Sequence, residues 1–75
     1  MRIYLILRKD LAGYDEYDGA VIAAKDAETV RQVMANGCAD EGRDMWLDPS
    51  RSDVAMIARA TTEPAGVVLK SFNAG

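Results

Sequence analysis

Histidine is absent from this chain of 75 residues, and cysteine occurs only once, as Cys38. The missing imidazole removes the commonest general base and the commonest metal ligand. One cysteine without histidine cannot form the zinc sites that are recognisable from sequence, nor an intrachain disulfide. We therefore predict that the protein is not an enzyme and holds no metal or other cofactor. A lone cysteine fits a reducing cytoplasm, and we interpret Cys38 as a small buried apolar residue.

Long apolar runs and glycine-rich phosphate loops are also missing. No stretch of about 18 apolar residues is present, and the N-terminal apolar run is too short for a signal peptide. Gly37 and Gly42 have neither the spacing of a phosphate loop nor a following Lys-Ser or Lys-Thr. The net charge of −3 argues against binding to a phosphate backbone as the main function. We expect a cytoplasmic protein that enters no membrane and does not bind nucleic acid.

What the chain does contain is the pattern of one small globular domain over residues 1–75. Hydrophobic residues make up 49% of the chain and charged residues 28%, which is typical of a globular fold. Four short apolar runs predict strands at Ile3–Leu7, Ala20–Ala24, Val54–Ala58 and Gly66–Phe72. A stripe of apolar residues at helical spacing predicts a helix over Ala27–Asn36, with Asp26 as its N-cap and Gly37 as its stop.

These elements predict an α+β fold, a small antiparallel ββαββ sheet with one helix packed on one face. The first strand is apolar on both faces, which is typical of a strand inside a sheet. A connection of about ten residues between the first two strands favours an antiparallel hairpin. One helix covers only one sheet face, and an exposed apolar sheet face usually binds a partner. We therefore expect a homodimer formed through the face opposite the helix.

The loop over residues 10–18 is the most distinctive stretch, because it combines two tyrosines with four carboxylates. Tyrosines are favoured in protein contacts, and neighbouring carboxylates complement a basic partner. The alternative is that these tyrosines fold back onto the edge of the sheet. Trp46, alone in a region rich in Gly, Asp and Ser, either anchors a partner or fills the open end of the core. The candidate protein-binding residues are Tyr14, Asp15, Glu16, Tyr17, Asp18 and Trp46.

Two other functions of charged residues remain open at this stage. The loop carboxylates do not have the spacing of an EF-hand, so we interpret them as solvated rather than as metal ligands. A second acidic segment at residues 40–53 could converge with the loop, as in a protein that mimics DNA.

A different class of function is a small-ligand module, a dimer that binds or sequesters a nucleotide. The candidate anion contacts of such a module are Arg2, Arg8, Arg43 and Arg51.

Two stretches of the chain, Tyr-Asp-Glu-Tyr-Asp-Gly at 14–19 and Ser-Phe-Asn-Ala-Gly at 71–75, carry a resemblance. With the opening strand and the acid-started helix, they resemble a set of small uncharacterised bacteriophage and prophage proteins. The resemblance covers both ends of the chain but little of residues 37–53, and it supplies no active-site residues. It implies a phage gene product in the bacterial cytoplasm that binds a host or phage protein. Such binding would modulate host machinery or block a defence system.

Overall fold

The protein folds as an antiparallel sheet with a helix packed across one face, which confirms the predicted α+β class. The computed structural model describes residues 1–10, 13, 15–58 and 66–73, and for residues 68–73 it describes the backbone. Within these ranges the strand order is β3-β1-β2-β4, and all neighbouring strands are antiparallel. The elements are β1 (Arg2–Arg8), β2 (Glu16–Ala24), α1 (Ala27–Asn36), α2 (Asp44–Leu47), β3 (Ser52–Ala58) and β4 (Gly66–Asn73).

β1 and β2 form the predicted hairpin and occupy the centre of the sheet. Tyr4 pairs with Ile22 and Ile6 with Ala20, and all four side chains are buried under the helix. Alternation along β1 then directs Ile3, Leu5 and Leu7 to the opposite face. β2 begins at Glu16, so three residues that the sequence analysis assigned to the loop belong to a strand.

α1 spans the predicted residues because both of its ends carry the expected caps. The Asp26 side chain accepts a hydrogen bond of 2.8 Å from the Thr29 amide, which satisfies a donor that the first turn leaves unpaired. Gly37 ends the helix. The face toward the sheet buries Val30, Met34 and Ala35. Ala27, whose helical spacing to Val30 and Met34 predicts a place on the same face, is exposed in the first turn.

α2 is a single turn that the sequence pattern did not predict, because four residues are too few to show helical periodicity. It buries Met45 and Trp46 in the core. Arg31 of α1 fixes this turn to the sheet: one guanidinium nitrogen donates to the Trp46 carbonyl at 3.0 Å and to the Ser52 hydroxyl at 2.8 Å. The other donates to the Ser52 carbonyl at 3.0 Å.

The sheet face opposite α1 is partly exposed, and the exposure is greatest at its edges. Ile3, Leu5 and Val21 are half-buried there, whereas 47% of Leu7 is exposed. At the edge, Ile57 of β3 is 55% exposed. Met56 of β3 and Val67 of β4 pair with Tyr4 and Ile22, so they lie on the side of α1, where they are 45% and 42% exposed. Residues 61–65, whose sequence with Pro64 is typical of a turn, lie outside the described residues. Neither described helix is long and apolar enough to cross a membrane.

Candidate protein-binding surface

The connection between β1 and β2 is fixed by Arg8, whose side chain is only 5% exposed. Its Nε and Nη2 atoms donate to the two carboxylate oxygens of Asp10, at 2.6 and 3.2 Å. Its Nη1 atom donates to Glu16 Oε1 at 2.9 Å and to the Tyr17 carbonyl at 3.3 Å. The hydrogen bonds from Arg8 lower the pKa of the Asp10 carboxyl. A planar guanidinium suits this forked arrangement, and it ties both ends of the connection to one cation.

Glu16 and Asp15 set the path of the chain as it enters β2. Glu16 Oε1 also accepts a hydrogen bond of 2.7 Å from the Gly13 amide. Asp15 has a positive φ of 57°, a left-handed conformation that aspartate adopts more readily than most residues. The Asp15 side chain is exposed. The connection therefore presents a carboxylate to solvent from a backbone that is held on both sides.

Asp40 and Glu41, the first residues of the second acidic segment, lie directly beside this connection. The Asp40 amide donates to the Asp15 carbonyl at 3.2 Å, and the Tyr17 amide donates to Glu41 Oε1 at 3.1 Å. Asp40, like Asp15, is exposed. The two acidic segments, whose convergence the sequence left open, are thus joined by hydrogen bonds. We call Asp15, Glu16, Asp18, Asp40 and Glu41 the acidic surface.

Glu41 connects the acidic surface to the core. Its Oε2 atom accepts hydrogen bonds from the Trp46 indole at 2.6 Å and from the Ala39 amide at 3.1 Å. Burial raises the pKa of the Glu41 carboxyl, but the hydrogen bonds from Trp46, Tyr17 and Ala39 outweigh it, and the net pKa is lowered. Folding is therefore coupled to ionisation of this carboxyl. Its contribution to stability is complete above the ordinary glutamate pKa and is lost as the pH falls through the lower folded-state pKa.

We expect Glu41→Gln to reduce the free energy of unfolding at neutral pH by about 1–3 kcal/mol. A carboxamide offers only one acceptor oxygen, so its NH2 group must face at least one of the three N–H donors. Urea denaturation at several pH values measures the effect. Between neutral pH and about pH 4, the variant should lose less stability than the wild type, because the titrating group is gone. Glu28→Gln, on the exposed side of α1, is the control, and an equal effect of both substitutions would contradict this role for Glu41.

The structure places the predicted binding residues in three different settings. Asp15 is exposed, and Glu16 and Asp18 are half-buried at the start of β2. Tyr17 is half-buried and packs against the core, as in the alternative in which the tyrosine folds back onto the sheet. Tyr14 lies outside the described residues.

Trp46 is not part of this surface. None of its side chain is exposed, and it belongs to the core cluster formed by the two helices and the sheet. The assignment of Trp46 as a contact residue is therefore corrected to that of a core residue, the alternative weighed for it from sequence. The physical reason is that the single turn of α2 directs the indole inward, where Glu41 satisfies its N–H.

Asp40 and Glu41 were not among the predicted binding residues. The bond from Tyr17 to Glu41 joins positions 24 residues apart, and no local pattern in the sequence specifies such a pairing. The available signal was the excess of carboxylates in both segments. That signal predicts that the segments are solvated, and it does not predict which carboxylate turns inward.

The arginines proposed as anion contacts are mostly engaged within the protein. Arg8 is paired with Asp10 and Glu16, Arg2 donates to the Lys25 carbonyl, and Arg43 donates to Asn36 Oδ1. Arg51 lines a shallow cavity of about 200 Å³ together with Lys9, Asp10, Met45 and Ser50. Lys9 lies 3.6 Å from Asp53, and Ser50 donates to Asp48. Since carboxylates balance the cations here, the cavity does not define an anion site.

In comparisons with known proteins, no family model, no curated protein and no solved structure matches the chain. Within the described residues, no group of three or more Cys, Asp or Glu is arranged to hold a metal ion.

Proposed function

We propose that the protein is a non-enzymatic binding module whose acidic surface binds a basic patch on another protein. The observation that carries the proposal is the hydrogen bond between the Asp40 amide and the Asp15 carbonyl, which joins two acidic segments with their outer carboxylates exposed. In keeping with the phage resemblance, the partner is a host or phage protein of the bacterial cytoplasm. Binding modulates or inhibits that partner, for example a defence protein.

The geometry supports this proposal because hydrogen bonds within the chain hold the acidic surface in place without a partner. The Arg8 guanidinium and the Glu41 carboxylate fix the two acidic segments through hydrogen bonds of 2.6 to 3.3 Å. A partner therefore does not have to order these segments, and the entropic cost of binding is reduced. A group of exposed carboxylates also accelerates association with a basic partner and makes the association sensitive to salt.

We expect Asp15→Asn combined with Asp40→Asn to weaken partner capture about tenfold, chiefly through slower association. Asparagine tolerates the left-handed backbone at position 15, so the fold is retained. The measurement is capture from bacterial lysate on immobilised wild-type protein and on the double variant, read by mass spectrometry. The matched control, Glu28→Gln with Asp53→Asn, removes the same charge from exposed positions elsewhere and should capture as the wild type does.

Equal capture by the double variant and the wild type would exclude the acidic surface as the binding site. If the wild type captures no protein, the binding-module proposal itself fails. A screen of nucleotides by thermal shift then tests the small-ligand alternative. A ligand present at 100 times its dissociation constant raises the free energy of unfolding by about 2.7 kcal/mol.

A further inference from the structure

β3 lies at the edge of the sheet, and its run of exposed apolar residues is unusual for an edge strand of a small protein. Its last four residues, Ala55 to Ala58, are consecutive, apolar and exposed. Edge strands normally carry lysine, proline or inward-pointing charges that prevent pairing with another chain. β3 has no proline and only one charged residue, Asp53, which lies 3.6 Å from Lys9 of its own chain. A register shift opposite Ile3 and Tyr4 interrupts its pairing with β1, but it leaves Ile57 55% exposed.

We propose that β3 pairs with β3 of a second copy of the same chain. The two strands run antiparallel and are related by a twofold axis. The two sheets then become one continuous sheet, with β3 of each copy at its centre. This inference is independent of the acidic surface, because it concerns a different edge of the sheet and a different kind of contact. It also differs from the dimer expected from sequence, which used the face of the sheet rather than its edge.

The charge pattern of β3 favours β3 of a second copy as the strand that pairs with it. In an antiparallel pair the two Asp53 residues lie at opposite ends of the new ladder, so like charges do not face each other. A strand with charged residues would find no counter-charge along the exposed stretch. With the axis between Ala55 and Met56, the facing pairs are Asp53 with Ala58, Val54 with Ile57, and Ala55 with Met56.

The positions of the exposed apolar side chains favour the edge over the face opposite α1. On that face, Ile3, Leu5 and Val21 are half-buried, Ala23 is completely buried and Leu7 is 47% exposed. Met56, which is 45% exposed, pairs with Tyr4 and so lies on the side of α1. A second sheet packed on the opposite face would leave Met56 uncovered, whereas a strand paired with β3 lies beside both Met56 and Ile57, which is 55% exposed. Pairing along one strand of seven residues remains smaller than the roughly 800 Å² per partner of a stable complex. The dimer is therefore reversible and depends on concentration.

Sedimentation equilibrium from micromolar to millimolar protein tests the proposal. The average mass should rise from the monomer value of 8.2 kDa toward twice that value. Ile57→Lys, which places a charge on the exposed edge, should raise the dissociation constant at least tenfold, and Met56→Lys should do the same. The matched control is Val67→Lys, which introduces the same charge at an exposed position of the other edge strand, β4, and should dimerise as the wild type does. Circular dichroism confirms that each variant is folded.

Hydrogen exchange separates pairing at the edge from packing of the faces. If β3 pairs with its copy, some β3 amides should exchange more slowly as the protein concentration rises. A mass that stays at 8.2 kDa at every concentration would overturn the proposal. A dimer without added protection in β3, or one that is lost in Val67→Lys and kept in Ile57→Lys, would overturn it as well.

Discussion

Trp46→Ala is expected to reduce the free energy of unfolding by about 3–5 kcal/mol. Trp46 is the largest of the fully buried side chains, and its indole packs in the core cluster between the two helices and the sheet. The substitution also leaves one hydrogen-bonding position of Glu41 without its indole donor. A domain of this length has a total stability of roughly 4–11 kcal/mol, so the variant should be largely unfolded at moderate temperature.

Trp46→Phe is the matched control, because it keeps an aromatic ring in the core and removes the N–H. We expect this variant to lose about 1–3 kcal/mol, mainly through the missing hydrogen bond to Glu41. Urea denaturation followed by far-ultraviolet circular dichroism suits both variants, since Trp46 is the only tryptophan and its fluorescence is lost with it. A Trp46→Ala variant with stability close to that of the wild type would show that the indole does not hold the core together.

Gly19→Ala is expected to be the most damaging of the alanine substitutions at the glycines of the hairpin. A Cβ atom at this position would lie 2.5 Å from the Ile6 carbonyl oxygen and 2.7 Å from Leu7 Cδ2. The Leu7 side chain can rotate, but the Ile6 carbonyl belongs to the central ladder and moves only if β1 and β2 separate locally. Overpacking of this kind costs about 1–3 kcal/mol, measured by the same denaturation experiment.

Gly13→Ala provides the comparison for this effect. The nearest atoms to a Cβ at position 13 are those of the Glu16 carboxylate, at 3.2 and 3.3 Å, and a shift of a few tenths of an ångström in this side chain would relieve the contact without moving the backbone. We expect a change of no more than about 0.5 kcal/mol. If both substitutions have the same effect, the cost at Gly19 reflects a general preference for glycine in this hairpin and not contact with Ile6.

Much of the fold could be predicted from the sequence because its signals are local. Asp26 and Gly37 mark the ends of α1 through capping chemistry that involves only neighbouring residues. The apolar residues on both faces of β1 correctly predicted that this strand lies inside the sheet. The antiparallel pairing of β1 and β2 followed from the length of their connection.

The candidate site was less predictable because its bonds join distant parts of the chain. The sequence pattern indicated two acidic segments, around Asp15 and Asp40, but it did not show that the Glu41 side chain would turn toward Trp46. A carboxylate that caps an indole and two backbone amides has the same sequence signature as one that is solvated. The same limit applies to Trp46 and Tyr17, since an isolated aromatic residue in a polar segment carries no periodicity that distinguishes inside from outside.

The register of the sheet decides where the protein can be attached to a support or a fusion partner. Arg2 pairs with Ala24 and Asn73 pairs with Glu16, so the first strand begins at one end of β2 and the last strand ends at the other. These ends are about 26 Å apart, given a rise of about 3.3 Å per residue along the strand. A segment that continues from β4 leaves the sheet at Asn73, next to the acidic surface, and competes with a partner for that space. A linker at the N-terminus leaves from the far end and keeps the surface accessible.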